Sequence, residues 1–144
     1  MEPWSSWGRR IASVRRSAGL LGLVFVVAAC STGLDPEIED LVGEWDWVES
    51  SGGIAGLTLT PASTGETMTL RFTESGVVEL SRDGAVTSTS DYTVSTAEDG
   101  KSRTVAYTAS PFGFPSQTLG FDGEDVMVLS DPCCDGFTYR WVRR

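Results

Sequence analysis

The chain is 144 residues long and acidic, with 11 Lys and Arg against 20 Asp and Glu for a net charge of −9. It contains no His, which removes Ser-His-Asp and Cys-His nucleophiles, imidazole acid–base catalysis and imidazole metal ligands. The negative balance also argues against nucleic acid, whose phosphates demand Lys and Arg, and the length suits one domain.

Residues 1–29 differ from the rest. Arg9, Arg10, Arg15 and Arg16 make a basic segment, and an uncharged apolar run follows from Ala18 to Ala29. That run is shorter than the ~20 apolar residues a membrane-spanning helix needs and matches the ~7–15-residue apolar core of an export signal. It ends in Val27-Ala28-Ala29-Cys30, which resembles the lipobox of bacterial lipoproteins. The resemblance implies cleavage before Cys30 and attachment of diacylglycerol to its thiol. The mature protein is then expected to be exported and lipid-anchored to the cell envelope. No Asp follows Cys30, so the outer membrane is the expected site where the host has one. Residues 1–29 hold four Arg and one Glu, so their removal takes the net charge from −9 to −12. Anionic lipid surfaces repel such a domain, and acyl chains rather than protein charge must hold it at the membrane.

Residues 30–40 read as the lipidated N-terminus and a tether. Asp35 suits a helix N-cap, Pro36 the first helical position, and Glu37 the positive end of the helix dipole. Ile38 and Leu41 then share one face, giving a single turn that plugs one end of the domain formed by residues 41–144.

From Gly43 onward, apolar residues alternate with polar ones at period two, the signature of strands with one buried face. Trp45 and Trp47 come first, then Met68, Leu70 and Phe72, then Val78 and Leu80. Tyr92 and Val94 follow a Ser/Thr-rich lead-in that still suits a strand. Val105, Tyr107 and Ala109 come next, then Leu119 and Phe121, residues 126–129, and last Phe137, Tyr139 and Trp141. Ser75-Gly76, Asp83-Gly84, Asp99-Gly100, Asp122-Gly123 and Asp135-Gly136 punctuate these runs, and such pairs tolerate the positive φ of tight hairpins. About eight short strands in an all-β, up-and-down meander are expected. Closure into a small antiparallel barrel would remove the exposed edges; a two-sheet sandwich is the alternative. Two connections are long, residues 50–65 and 110–116, and long loops in compact domains are often functional.

Leu41-Val42-Gly43-Glu44-Trp45 resembles the Gly-x-Trp motif that opens the first strand of lipocalins and related calycin barrels. Residues 51–56, 72–76 and 131–136 also resemble segments of the lipocalin-like lipoproteins of several bacterial phyla. The resemblance implies that Trp45 packs across the closed end of a barrel beneath an Arg near the end of the last strand. Arg143 is preferred for that role by position, with Arg140 the other candidate. A guanidinium over an indole gains ~0.5–2 kcal/mol.

Among groups that carry chemistry, the adjacent Cys133 and Cys134 stand out. Neighbouring Cα atoms lie ~3.8 Å apart, less than the ~4.4 Å that ordinary disulfides need, so a bond between them forces a distorted turn. The pair reads first as a rigidifier of its hairpin, then as a redox or soft-metal site, then as an intermolecular link. Trp47, Met68, Leu70, Phe72, Tyr107, Phe121 and Tyr139 are candidates for lining an apolar ligand pocket, against the alternative that they fill the barrel as core. Gly52, Gly53 and Gly56 lack the Lys and helix of a phosphate-binding loop. Phe112 and Phe114, flanked by prolines, suit either an exposed tip or a cover over the barrel mouth. Asp122, Glu124, Asp125 and Asp131 suit acidic turns better than a metal site. The expectation is therefore a non-enzymatic, membrane-anchored barrel that binds a small apolar ligand, without cofactor or metal. The alternative is a protein-interaction or inhibitor module that uses its long loops around a filled barrel.

Overall fold

Alternating side chains commit each strand to one inward and one outward face, and the ladder of hydrogen bonds then decides whether the sheet closes. A computed structural model describes residues 37–133 and 135–144. Nine strands and one short helix follow a turn at residues 37–41: β1 (Gly43–Gly52), β2 (Leu57–Leu59), α1 (Pro61–Thr64), β3 (Met68–Phe72), β4 (Val77–Arg82), β5 (Ala85–Thr96), β6 (Arg103–Tyr107), β7 (Ser116–Phe121), β8 (Val126–Ser130) and β9 (Phe137–Arg143). From β3 to β9 each strand pairs antiparallel with the next, and β3 pairs with β1.

Closure comes from β9 returning to β1, in register from Trp45↔Arg143 to Gly52↔Phe137. Eight strands, β1 and β3–β9, thus form a closed antiparallel barrel, and the two-sheet alternative falls away. The ninth, β2, pairs only with Ser50–Gly52 at the far end of β1. A register shift between Trp47 and Glu49 inserts one extra residue, as a β-bulge does. It keeps Trp45, Trp47 and Ser50 all buried on the inner face.

The inner face is apolar and closely filled. Leu41, Trp45, Leu70, Val105, Met127, Leu129 and Trp141 are fully buried, with Phe72, Val78 and Leu80 nearly so. Each such side chain contributes about 1.5–3 kcal/mol relative to exposure. Phe72 meets Tyr92 edge to face, with centroids 5.0 Å apart.

Residues 50–65 differ from the expected loop. They contain the end of β1, all of β2 and the helix α1. Thr60 caps α1, with its hydroxyl accepting from Ser63 N and its own N–H donating to the Ser63 side chain. Gly65 ends the helix at φ 75°. The helix buries no residue, so it left no apolar periodicity to read. The lead-in to Tyr92 is strand from Ala85 onward, while β6 stops at Tyr107 rather than Ala109.

Candidate functional site at the two ends of the barrel

One end is sealed by the chain that enters it. Trp45 Nε1 donates to the Leu41 carbonyl at 2.8 Å, and Leu41 itself is fully buried. The Arg143 guanidinium lies 4.2 Å above the Trp45 ring. It also donates to the carbonyls of Val42 at 3.1 Å and Asp40 at 2.6 Å, which pins the 37–41 turn across the opening. Gly43, at φ 140°, passes so close that a Cβ there would stand 2.9 Å from Arg143 Nη1. Arg103 secures the same turn from β6, bonding Asp40 Oδ2 at 2.5 Å and Oδ1 at 2.9 Å as well as the Glu37 carbonyl. It also sits 5.5 Å from the Phe121 ring. Arg140 instead pairs with Asp122.

The opposite end receives residues 53–67, 83–84, 108–115, 131–133 and 135–136, from the connections at that side of the antiparallel ladders. Here lies a cavity of about 190 Å³, walled by Trp47, Ser50, Leu59, Met68, Phe137 and Tyr139. Exposed Thr64, Glu66 and Arg82 stand at its edge, with Arg82 and Glu66 paired at 3.4 Å. Trp47 Nε1 donates to Ser50 Oγ at 2.8 Å, so the indole is fixed in the wall.

Beside this cavity a side chain from the β6–β7 connection folds back. The Phe112 ring is half-buried and packs on the core. Its centroid lies 5.0 Å from that of Tyr139, 6.1 Å from that of Trp141 and 6.3 Å from that of Tyr107. Below it runs a buried polar chain. Tyr107 Oη donates to Gln117 Oε1 at 2.9 Å, Gln117 Nε2 donates to Asp131 Oδ1 at 2.8 Å, and Phe137 N donates to Asp131 Oδ2 at 2.8 Å. Gln117 is fully buried, and these bonds supply the partners that burial demands. Burial first, and the Asp131 charge second, push the Tyr139 phenol up to about 12 and the Tyr107 phenol higher still. Arg82 partly opposes the shift at Tyr139. One buried side-chain polar atom, Trp141 Nε1, has no hydrogen-bond partner among the described residues.

Of the residues expected to line a pocket, Trp47, Met68 and Tyr139 wall the mouth cavity. Leu70 lies in the close-packed core, Phe72 is buried opposite Gly43 toward the sealed end, Tyr107 lies beside the polar chain, and Phe121 lies 6.0 Å from Trp45 at the sealed end. Cys133 is exposed on the β8–β9 connection; Cys30 and Cys134 lie outside the described residues. Among the described residues no three Cys, Asp or Glu converge to hold a metal. Gln117, Arg103 and Ser50 are not among the residues the sequence singles out, and Asp131, expected only as part of an acidic turn, instead accepts from Gln117 and Phe137 N. Gln117 and Arg103 carried a usable signal, since each sits at inward parity with its apolar strand neighbours: Leu119 and Phe121 for Gln117, Val105 and Tyr107 for Arg103.

Larger concavities lie outside the barrel. One of them, about 530 Å³, runs over β1, β3 and β4, includes Glu44, Asp46, Arg71, Glu79 and Arg144, and shares Trp47 and Met68 with the mouth cavity. Its charges satisfy one another: Arg71 with Glu79 at 3.2 Å, and Arg144 with Asp46 at 3.0 Å and Glu44 at 3.3 Å. A groove already neutralised in this way offers a ligand little, so the smaller, aromatic-walled mouth cavity is the stronger site. No protein-family model, curated protein or solved structure matches the chain.

Proposed function

We propose that this chain is a membrane-anchored, non-enzymatic binding barrel that takes a small, largely apolar molecule at its open end. The anchor rests on Cys30 and the lipobox-like residues before it. The binding reading rests on the aromatic-walled mouth cavity beside Phe112. At about 190 Å³ it is smaller than the ~300–1,000 Å³ of drug-sized pockets, so the occupant is small or extends the cavity by displacing a side chain. The 37–41 turn enters the sealed end, and six residues, 31–36, separate it from Cys30. Such a segment reaches at most ~25 Å, so an anchored barrel would hold its sealed end at the membrane and its open end outward.

The test is recovery of a ligand. Full-length protein is purified from its own membranes, and its organic extract is compared with that of Met68→Trp, which fills the mouth. The reading expects an apolar compound that is retained by the wild type and lost from the folded variant. Equal recovery from both, or none from either, counts against it. Acyl attachment is tested by labelled fatty acid, which Cys30→Ser should fail to incorporate.

A second reading, a protein-interaction module, has one observation in its favour. Ile54, 90% exposed, and Leu57, 51% exposed, sit on and beside the tip of the β1–β2 hairpin. Ile54→Asp with Leu57→Asp would abolish partner capture on this reading and leave ligand recovery unchanged on the first.

A further inference from the structure

Phe112 occupies a place that suits it poorly in one respect. Its ring centroid lies 6.1 Å from that of Trp141, whose buried Nε1 has no acceptor among the described residues. A benzene ring offers that donor no lone pair. Leaving a buried donor unmet costs about 1–3 kcal/mol, and the great majority of buried polar groups have partners. The other two indoles of the barrel are satisfied, Trp45 by Leu41 O and Trp47 by Ser50 Oγ. The indole with the unmet donor therefore neighbours Phe112, a core-contacting ring supplied by a long connection rather than by a strand.

We infer that Phe112 is a displaceable plug, and that a neutral molecule bearing a hydrogen-bond acceptor takes its place with that acceptor on Trp141 Nε1. The inference deepens the mouth-binding reading and rests on it. Three further observations carry it. Phe112 belongs to the 108–115 connection, where its N–H is bonded to Ser110 Oγ of the same connection. The ring touches Tyr139, which also walls the mouth cavity, so moving Phe112 aside extends that cavity toward Trp141. The electrostatics then select the ligand. Asp131 lies close enough to raise the Tyr139 and Tyr107 phenols, Arg82 at the edge is engaged by Glu66, and the chain is strongly acidic. A carboxylate is therefore repelled, while a cation has no use for an N–H donor. A ketone, ester, amide or alcohol on an apolar body meets both conditions.

Displacement makes the apparent affinity depend on how often the plug is out, since apparent Kd is the intrinsic Kd divided by the competent fraction. The test uses 15N-labelled full-length chain in phosphatidylcholine nanodiscs, followed by its indole N–H resonances. Three probes of similar shape are compared: acetophenone, cumene and benzoate. Acetophenone should bind roughly fivefold more tightly than cumene, the effect of one net hydrogen bond, and benzoate most weakly. Acetophenone should move the Trp141 indole resonance, and Trp141→Phe should erase its advantage over cumene. Phe112→Ala should tighten both neutral probes by a common factor; Phe112→Leu, which keeps an apolar side chain on the core, should do so less. Comparison between variants cancels partition of the probes into lipid. If the probes move Trp47 but leave Trp141 unmoved and indifferent to Phe112, the plug is overturned while mouth binding stands. If no probe moves any indole, both readings fall. Tightest binding by benzoate overturns the ligand class.

Discussion

Arg143 lies 4.2 Å over the Trp45 ring while bonding the carbonyls of Asp40 and Val42, so one guanidinium joins the last strand, the first strand and the entering chain. Arg143→Ala removes a cation–π contact and charge-assisted hydrogen bonds, and should cost about 2–3 kcal/mol in urea unfolding. Arg143→Lys should recover only part of this, because an ammonium lacks the planar fork. Gly43→Ala should cost more than ~1 kcal/mol, since it sets a Cβ against Arg143 at φ 140°. Wild-type stability in these variants would refute the role of the stack as the closure of the sealed end.

Two tryptophans of equal burial should respond differently to the same substitution. Trp45→Phe loses a satisfied donor and part of the surface beneath Arg143. Trp141→Phe loses the same volume but relieves an unmet donor. The first should therefore be more destabilising by about 2 kcal/mol. Matched unfolding midpoints would show that Trp141 Nε1 is satisfied in solution.

All three tyrosines, Tyr92, Tyr107 and Tyr139, are raised above the ordinary value of 10, chiefly by burial. The neutral phenol is thus favoured in the folded chain. Its contribution to stability is complete below pH 10 and is lost as the pH rises through the folded values, about 12 for Tyr139. Tyrosinate absorbance should stay low above pH 10 and then rise together with loss of far-ultraviolet β signal. Ordinary titration near 10 with structure intact would contradict the buried setting of these rings.

Asp131 accepts one bond on each oxygen, from Gln117 and from Phe137 N. Asp131→Asn turns one acceptor into a donor facing a donor and should cost about 2 kcal/mol. Loss of its charge should also bring the Tyr139 phenol down from about 12 toward 10. An unchanged phenol in the folded variant would remove Asp131 from the field at the open end.

Much of the barrel was legible because its inner face is written at period two, from Trp45 and Trp47 to Tyr139 and Trp141. Closure was legible as an expectation only, since no local pattern states that β9 returns to β1. The helix α1 was hidden because four exposed residues make no periodic face. The start of β5 is less legible because Ser88 and Ser90 occupy inward positions that apolar residues fill in the other strands. At the open end, Trp47, Met68 and Tyr139 could be named from parity. The Gln117–Asp131 bond and the fold-back of Phe112 depend on contacts between distant segments, which spacing alone does not fix.

The most direct measurement is a crystal structure of the full-length chain with 4-bromoacetophenone, located by the anomalous signal of its bromine. The probe is expected between Trp47, Met68 and Tyr139, with Phe112 turned out and the ketone oxygen within hydrogen-bond distance of Trp141 Nε1. Bromine confined to the outer groove of Glu44, Asp46 and Arg71, with Phe112 still seated on Tyr139 and Trp141, would contradict it.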